Sequence, residues 1–100
     1  MNNLDFKRKE LTKKLEDIKP FLTKEYKVKE IGFFGSYASG EETESSDIDI
    51  LVELEDPLGW KFFELKEFLE EQLGKSVDLV TSNALKKQLR ESILNKTIYV

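Results

Sequence analysis

Apolar residues recur along the chain with two different periods, and the changes of period mark the elements. Leu4, Leu11, Leu15 and Ile18 fall on one helical stripe, with Asn3 placed to cap its start and Pro20 to end it. That spacing predicts a first helix over residues 4–18. After a polar joint, Val28-Lys29-Glu30-Ile31-Gly32-Phe33-Phe34 is rich in β-branched and aromatic residues and reads as a strand ending at Gly35. The next stretch, GSYASGEETESS, has no apolar period and reads as a loop with room for one short helical turn after Gly35. DIDILVEL then resumes as a second strand.

Beyond the break at Asp56-Pro57-Leu58-Gly59, Phe62, Leu65, Leu69 and Leu73 return to helical spacing, and Gly74 ends that helix. Val77-Asp78-Leu79-Val80 is a short third strand. Thr81 or Ser82 is placed to cap a last helix striped by Leu85, Leu89 and Ile93, and the terminal Ile98-Tyr99-Val100 can add an edge strand. The order α-β-loop-β-α-β-α predicts an α/β (α+β) fold in which a small mixed sheet of three or four strands packs against helices. The loop between the first two strands is short for a parallel crossover and holds no full helix, so those strands are expected to be antiparallel.

One hundred residues, 39% of them apolar, suffice for one domain spanning 1–100 with one core. The charged share is 36% with both signs interleaved, which reads as a solvated surface. A net charge of −4 gives no basic face for nucleic acid. Cysteine and histidine are both absent, which excludes a disulfide frame, a thiolate nucleophile, imidazole catalysis and His-ligated zinc. Any metal must therefore be held by oxygen, which favours a hard cation such as Mg²⁺. The charged first residues and the lack of a long apolar run suggest a soluble, cytoplasmic protein.

In DIDILV the side chains alternate faces. Asp47 and Asp49 share one, and Ile48, Ile50 and Val52 the other. Adjacent carboxylates repel, and a divalent cation would relieve that; a solvated strand edge accounts for an isolated Asp-x-Asp equally well. Gly35-Ser36 upstream adds to the case, because a strand that runs into Gly-Ser lets backbone N–H groups and a small hydroxyl come close to a phosphate. Phosphate donors beside a two-carboxylate metal site suit in-line attack on a nucleotide phosphorus.

Gly35-Ser36-Tyr37-Ala38-Ser39-Gly40-Glu41 followed by Ser46-Asp47-Ile48-Asp49-Ile50-Leu51-Val52 closely resembles the signature of the DNA polymerase β-like nucleotidyltransferase superfamily. Within it the chain is similar to the minimal nucleotidyltransferases encoded beside a HEPN-domain partner, and the resemblance covers most of the chain. It implies the polymerase β palm-like fold, with Asp47 and Asp49 as the metal-binding pair and Gly35 and Ser36 as the phosphate-loop pair. Asp78 matches the third carboxylate, which completes the metal site and can activate the attacking hydroxyl. The resemblance also implies Mg²⁺ as cofactor, ATP as substrate, and a tyrosine of a HEPN-type toxin as acceptor, with this chain as antitoxin. The rival is a module that neutralises its helical partner by contact alone. Ser39 departs from the pattern, since many relatives carry Arg there.

Six other positions need a reading. Tyr37 is expected to pack in the core, and Lys86, Lys87 and Arg90 to form a solvated helix face. Trp60 and Phe63 serve equally as a partner contact or as a cap on the domain's own core.

Overall fold

The computed structural model describes residues 3–100, with side chains from Lys7 onward. Helix α1 spans Asn3–Tyr26 and β1 spans Val28–Phe34. The short α2 covers Gly35–Ser39, β2 covers Ile48–Leu54, α3 covers Lys61–Leu73 and β3 covers Val77–Thr81. A 3-10 turn at Ser82–Ala84, helix α4 at Lys87–Lys96 and strand β4 at Ile98–Tyr99 complete the chain.

The four strands form one mixed sheet in the order β3-β2-β1-β4. As expected, β1 and β2 are antiparallel, and β4 is an antiparallel edge beside β1. Strand β3 runs parallel to β2, and the connection that parallel pairing demands is supplied by α3. Ile31 and Phe33 of β1, Ile48, Ile50 and Val52 of β2, and Val77 and Leu79 of β3 are all buried. Against them pack Leu11, Leu15, Leu22 and Tyr26 of α1 and Leu65, Leu69 and Leu73 of α3. The rings of Phe21 and Phe68 join the two helices at 4.9 Å between centroids.

Two helix boundaries differ from expectation. Pro20 does not stop α1, which continues for six more residues. A proline inside a helix costs about 3 kcal/mol through a lost hydrogen bond and a clash with the preceding turn. Burying Leu22 completely and Tyr26 to 5% exposure returns about 1.5–3 kcal/mol for each large side chain, enough to offset it. Pro20 itself faces solvent. The Asn3 cap and Leu4 lie outside the described side chains.

The last helix starts later than the stripe Leu85, Leu89, Ile93 suggests. Leu85 and Lys86 are extended, with ψ of 135° and 141°, so the stripe straddles a break and neither Thr81 nor Ser82 caps the helix. Helix α4 buries no residue fully and leaves Leu89 54% exposed, so packing has little hold on its start. Among the described residues, no helix is long and apolar enough to cross a membrane.

The edge strand β4 is seated by close backbone approach. A Cβ on Gly32 would stand 2.6 Å from the Ile98 carbonyl oxygen and 2.7 Å from Thr97 Cγ2. The Val100 N–H then donates to Ile31 O at 2.9 Å, and Lys19 Nζ donates to Val100 O at 2.8 Å. Replacing Gly32 with Ala is therefore expected to cost about 1–3 kcal/mol, the range for overpacking. Urea unfolding checks this, and amide exchange at Val100 should speed up in the variant. An unchanged midpoint with unchanged exchange would show that β4 is not held this way.

Candidate active site

Strand directions bring the sequence-predicted residues to one end of the sheet. Strand β1 ends there, while β2 and β3 both begin there. In the β1–β2 ladder Phe34 pairs with Asp49, and in the β2–β3 ladder Asp49 pairs with Asp78. Asp47 immediately precedes β2. Gly35 follows Phe34 and therefore arrives beside Asp49.

The turn at Gly35 needs glycine for two reasons. Its φ of 66° lies in the left-handed region, and a Cβ there would overlap Asp49 Oδ2. Helix α2 then makes a single turn and ends at Gly40, with φ of 82°. Ser36 O receives hydrogen bonds from the Glu41 N–H at 2.9 Å and from Ser39 Oγ at 3.3 Å. Arg8 Nη2 of α1 donates to Ala38 O at 2.8 Å, pinning the far side of the turn. Tyr37 is 5% exposed and packs in the core as expected.

Asp49 carries the electrostatic load. Partial burial raises its pKa above the usual carboxylate value. The charges of Asp78 and Asp47 push it further in the same direction, as does a side-chain hydrogen bond with Asp78. Asp47 and Asp78 are exposed at the mouth of the site. No group of three carboxylates is closed into ligating geometry among the described residues, although the charges of Asp78 and Asp47 both act on Asp49. An all-oxygen donor set under mutual repulsion fits a hard divalent cation. The cation would be held by Asp47, Asp49 and Asp78.

A cleft of about 470 Å³ opens beside the turn, lined by Gly35, Ser36, Ala38, Ser39, Glu41 and Lys96. Ser36 and Ser39 thus face the same space, next to Asp49. Lys96 was not singled out by the sequence, and its signal is visible only once the pairing of β4 with β1 is known. Lys86, Lys87 and Arg90 are exposed and none of them lines the cleft. Trp60 is 88% exposed and Phe63 59%, their rings 6.3 Å apart, so Trp60 does not cap the core.

This fold and site define a nucleotidyltransferase. A model of the nucleotidyltransferase domain family matches residues 15–100, and the chain belongs to that family. It is 46% identical over 94 residues to the protein adenylyltransferase MntA of Thermococcus cleftensis, covering 86% of this chain and 95% of that one. It is 52% identical over 84 residues to a Methanocaldococcus jannaschii protein provisionally named a protein adenylyltransferase, covering 82% and 86%.

Among solved structures it resembles one provisionally named a minimal nucleotidyltransferase, with a TM-score of 0.79 at 33% identity over 91% of this chain and 93% of that one. It also resembles a chain of the complex between a tri-AMPylated Shewanella oneidensis HEPN toxin and its MNT antitoxin. There the TM-score is 0.59 at 27% identity, over 96% of this chain and 70% of that one.

The raised pKa of Asp49 fixes the sign of a stability effect. With its folded pKa above its unfolded one, near 4, Asp49 binds more protons folded than unfolded between the two values. Stability contributed by the protonated form is thus present below the unfolded pKa and lost as pH rises through the folded pKa. Without divalent cation, Asp49→Asn should raise the melting temperature at neutral pH, and the gain should vanish toward pH 3. Equal melting temperatures at pH 7 would show that the carboxylates do not strain the fold.

Proposed function

We propose that this chain transfers AMP from MgATP to a hydroxyl, that of a tyrosine on a helical HEPN-domain toxin, and thereby acts as the antitoxin. One observation carries the reading. Asp49 stands opposite Asp78 and against Gly35, with Asp47 two residues away, so the cleft lined by Gly35, Ser36 and Ser39 and a carboxylate cluster share one edge. The relatives named protein adenylyltransferases and the neighbour bound to an AMPylated HEPN toxin support the nucleotide, the transferred group and the partner.

A divalent cation at the carboxylates would neutralise the charge that builds up on the phosphate oxygens. The chain's own residues do the positioning. Gly35 lets the Asp49 carboxylate lie against the turn at the edge of the cleft that would take the phosphates, and the Ser36 hydroxyl is at hand to donate to a phosphate oxygen. Asp78 accepts the proton of the attacking hydroxyl. The new bond joins that oxygen to the α-phosphorus, while the bond from phosphorus to the pyrophosphate oxygen breaks and pyrophosphate leaves.

A rival reading, neutralisation by contact alone, is favoured by Ser39, which offers one hydroxyl where an arginine would offer a fork of charged donors. Hydrogen bonds to charged groups contribute about 1.5–3 kcal/mol, so the substitution weakens nucleotide binding by about one to two powers of ten and leaves the carboxylate chemistry in place. Wild type should therefore incorporate radiolabelled AMP into the partner slowly, Ser39→Arg faster, and Asp47→Asn or Asp49→Asn not at all. If the partner is silenced with no label in any of them, the contact reading stands.

Trp60 and Phe63 offer a paired aromatic surface that the core does not use. Aromatic residues of this kind are enriched at interface centres. Trp60→Ala with Phe63→Ala should weaken the complex by about tenfold or more, the cost of truncating such anchors. Isothermal titration against the partner measures it, and unchanged affinity would place the interface on another face.

A further inference from the structure

The cleft beside Gly35 is lined by one basic side chain, Lys96, which stands at the end of α4 just before β4. Strand β4 pairs with β1 so that Tyr99 faces Gly32 and Ile98 faces Phe33. Lys96 itself lies outside that ladder, as the last residue of α4, and lines the cleft together with Gly35. The chain is gripped on both sides of this point. Thr97 Oγ1 donates to Ile93 O at 2.7 Å, and the missing side chain of Gly32 is what lets Thr97 and Ile98 sit so close to β1. The root of Lys96 is thereby fixed while its side chain stays exposed.

Its charge is also uncommitted. Neither ion pair found among the described residues includes Lys96, and Glu41, the acid lining the same cleft, is not paired with it. The other lining residues (Gly35, Ser36, Ala38 and Ser39) offer backbone and hydroxyl groups without charge. Asp49 borders this cleft through the space that a Gly35 side chain would fill. An anion in the cleft would therefore find the Lys96 ammonium in the same lining as the Gly-Ser turn that Asp49 abuts. A cation bound at the carboxylates suits the phosphate where transfer occurs, and the ammonium suits negative charge further along the same chain of phosphates.

We propose that Lys96 binds the β- and γ-phosphates of the nucleoside triphosphate and so selects triphosphate over monophosphate. This rests on the nucleotidyltransfer reading of the same site. Lysine acts here as a compact point charge, tolerant of position, which suits a mobile polyphosphate tail better than a directional fork would.

The test compares nucleotide affinities of the full chain by isothermal titration in Mg²⁺, using ATP and AMP as the two probes. For Lys96→Gln, ATP binding should weaken about tenfold and AMP binding by less than about twofold, as expected for one partly solvated charge–phosphate contact. Lys96→Arg should retain most of the ATP affinity, and Glu41→Gln should improve it by removing the cleft's opposing charge. The melting temperature of Lys96→Gln should match wild type.

Unchanged ATP affinity in Lys96→Gln would overturn the proposal. So would equal losses for ATP and AMP, since that pattern reports a structural role. Asp49→Asn, assayed alongside for AMP transfer, separates the two claims. If it is inactive while Lys96→Gln binds ATP normally, only the Lys96 assignment falls. If it transfers AMP as well as wild type, or if wild type binds no MgATP, the underlying reading falls and the Lys96 assignment with it.

Discussion

Asp49 stands opposite Asp78 across the β2–β3 ladder and two residues beyond Asp47, and like charges at this spacing repel. The cost of such a cross-strand pair is modest, about 0.2–1 kcal/mol. Each large apolar side chain buried alongside returns about 1.5–3 kcal/mol. Ile48, Ile50, Val77 and Leu79 alternate with the two ladder aspartates and are all buried, so the core side of the sheet outweighs the repulsion on the other. Strand alternation is thus what lets one segment serve as core and as charged site. The load falls on Asp49 because it alone of the three is partly buried, and its raised pKa reflects burial first and its neighbours second.

The sheet's mixed topology follows from the same requirement. An antiparallel β1 delivers its C-terminal end, and with it Gly35, to the point where β2 begins. A parallel β3 delivers its own beginning, and with it Asp78, to the same place. Were β3 antiparallel to β2, Asp78 would sit at the far end of the ladder from Asp49. The crossover through α3 is therefore part of what assembles the site. Its C-terminal Gly74, at φ 68°, turns the chain back toward β3.

Much of this was legible in the chain because periodicity and motif chemistry are local. The period-two run in DIDILV separated core from site, and Gly35 was marked by its place at a strand end. The antiparallel β1–β2 pair followed from a loop too short to cross over. What escaped was set by tertiary contact. Pro20 reads as a stop, but the burial of Leu22 and Tyr26 against the sheet carries α1 through it. Leu85, Leu89 and Ile93 keep helical spacing across a backbone that is extended at Leu85 and Lys86. Lys96 carried no signal because its relation to Gly35 exists only through a two-residue edge strand.

Charge balance links these parts. The site gathers three carboxylates and must admit a polyanion, while the chain as a whole is net negative by four. With serine at position 39, the turn itself contributes no cation. On the proposed reading, attraction for the nucleotide comes from outside the Gly-Ser motif, through a metal at the carboxylates and the Lys96 ammonium in the cleft lining. The two differ in kind. A metal's place would be defined by its carboxylate donors, whereas Lys96 is placed at the end of α4, next to the close packing of β4 on Gly32. On the proposed reading, the packing at this sheet edge, some residues from the motif, bears on nucleotide affinity alongside the motif. Gly32 and Gly35, three residues apart on one strand and its exit, each leave space for a neighbour: the β4 backbone in one case, the Asp49 carboxylate in the other.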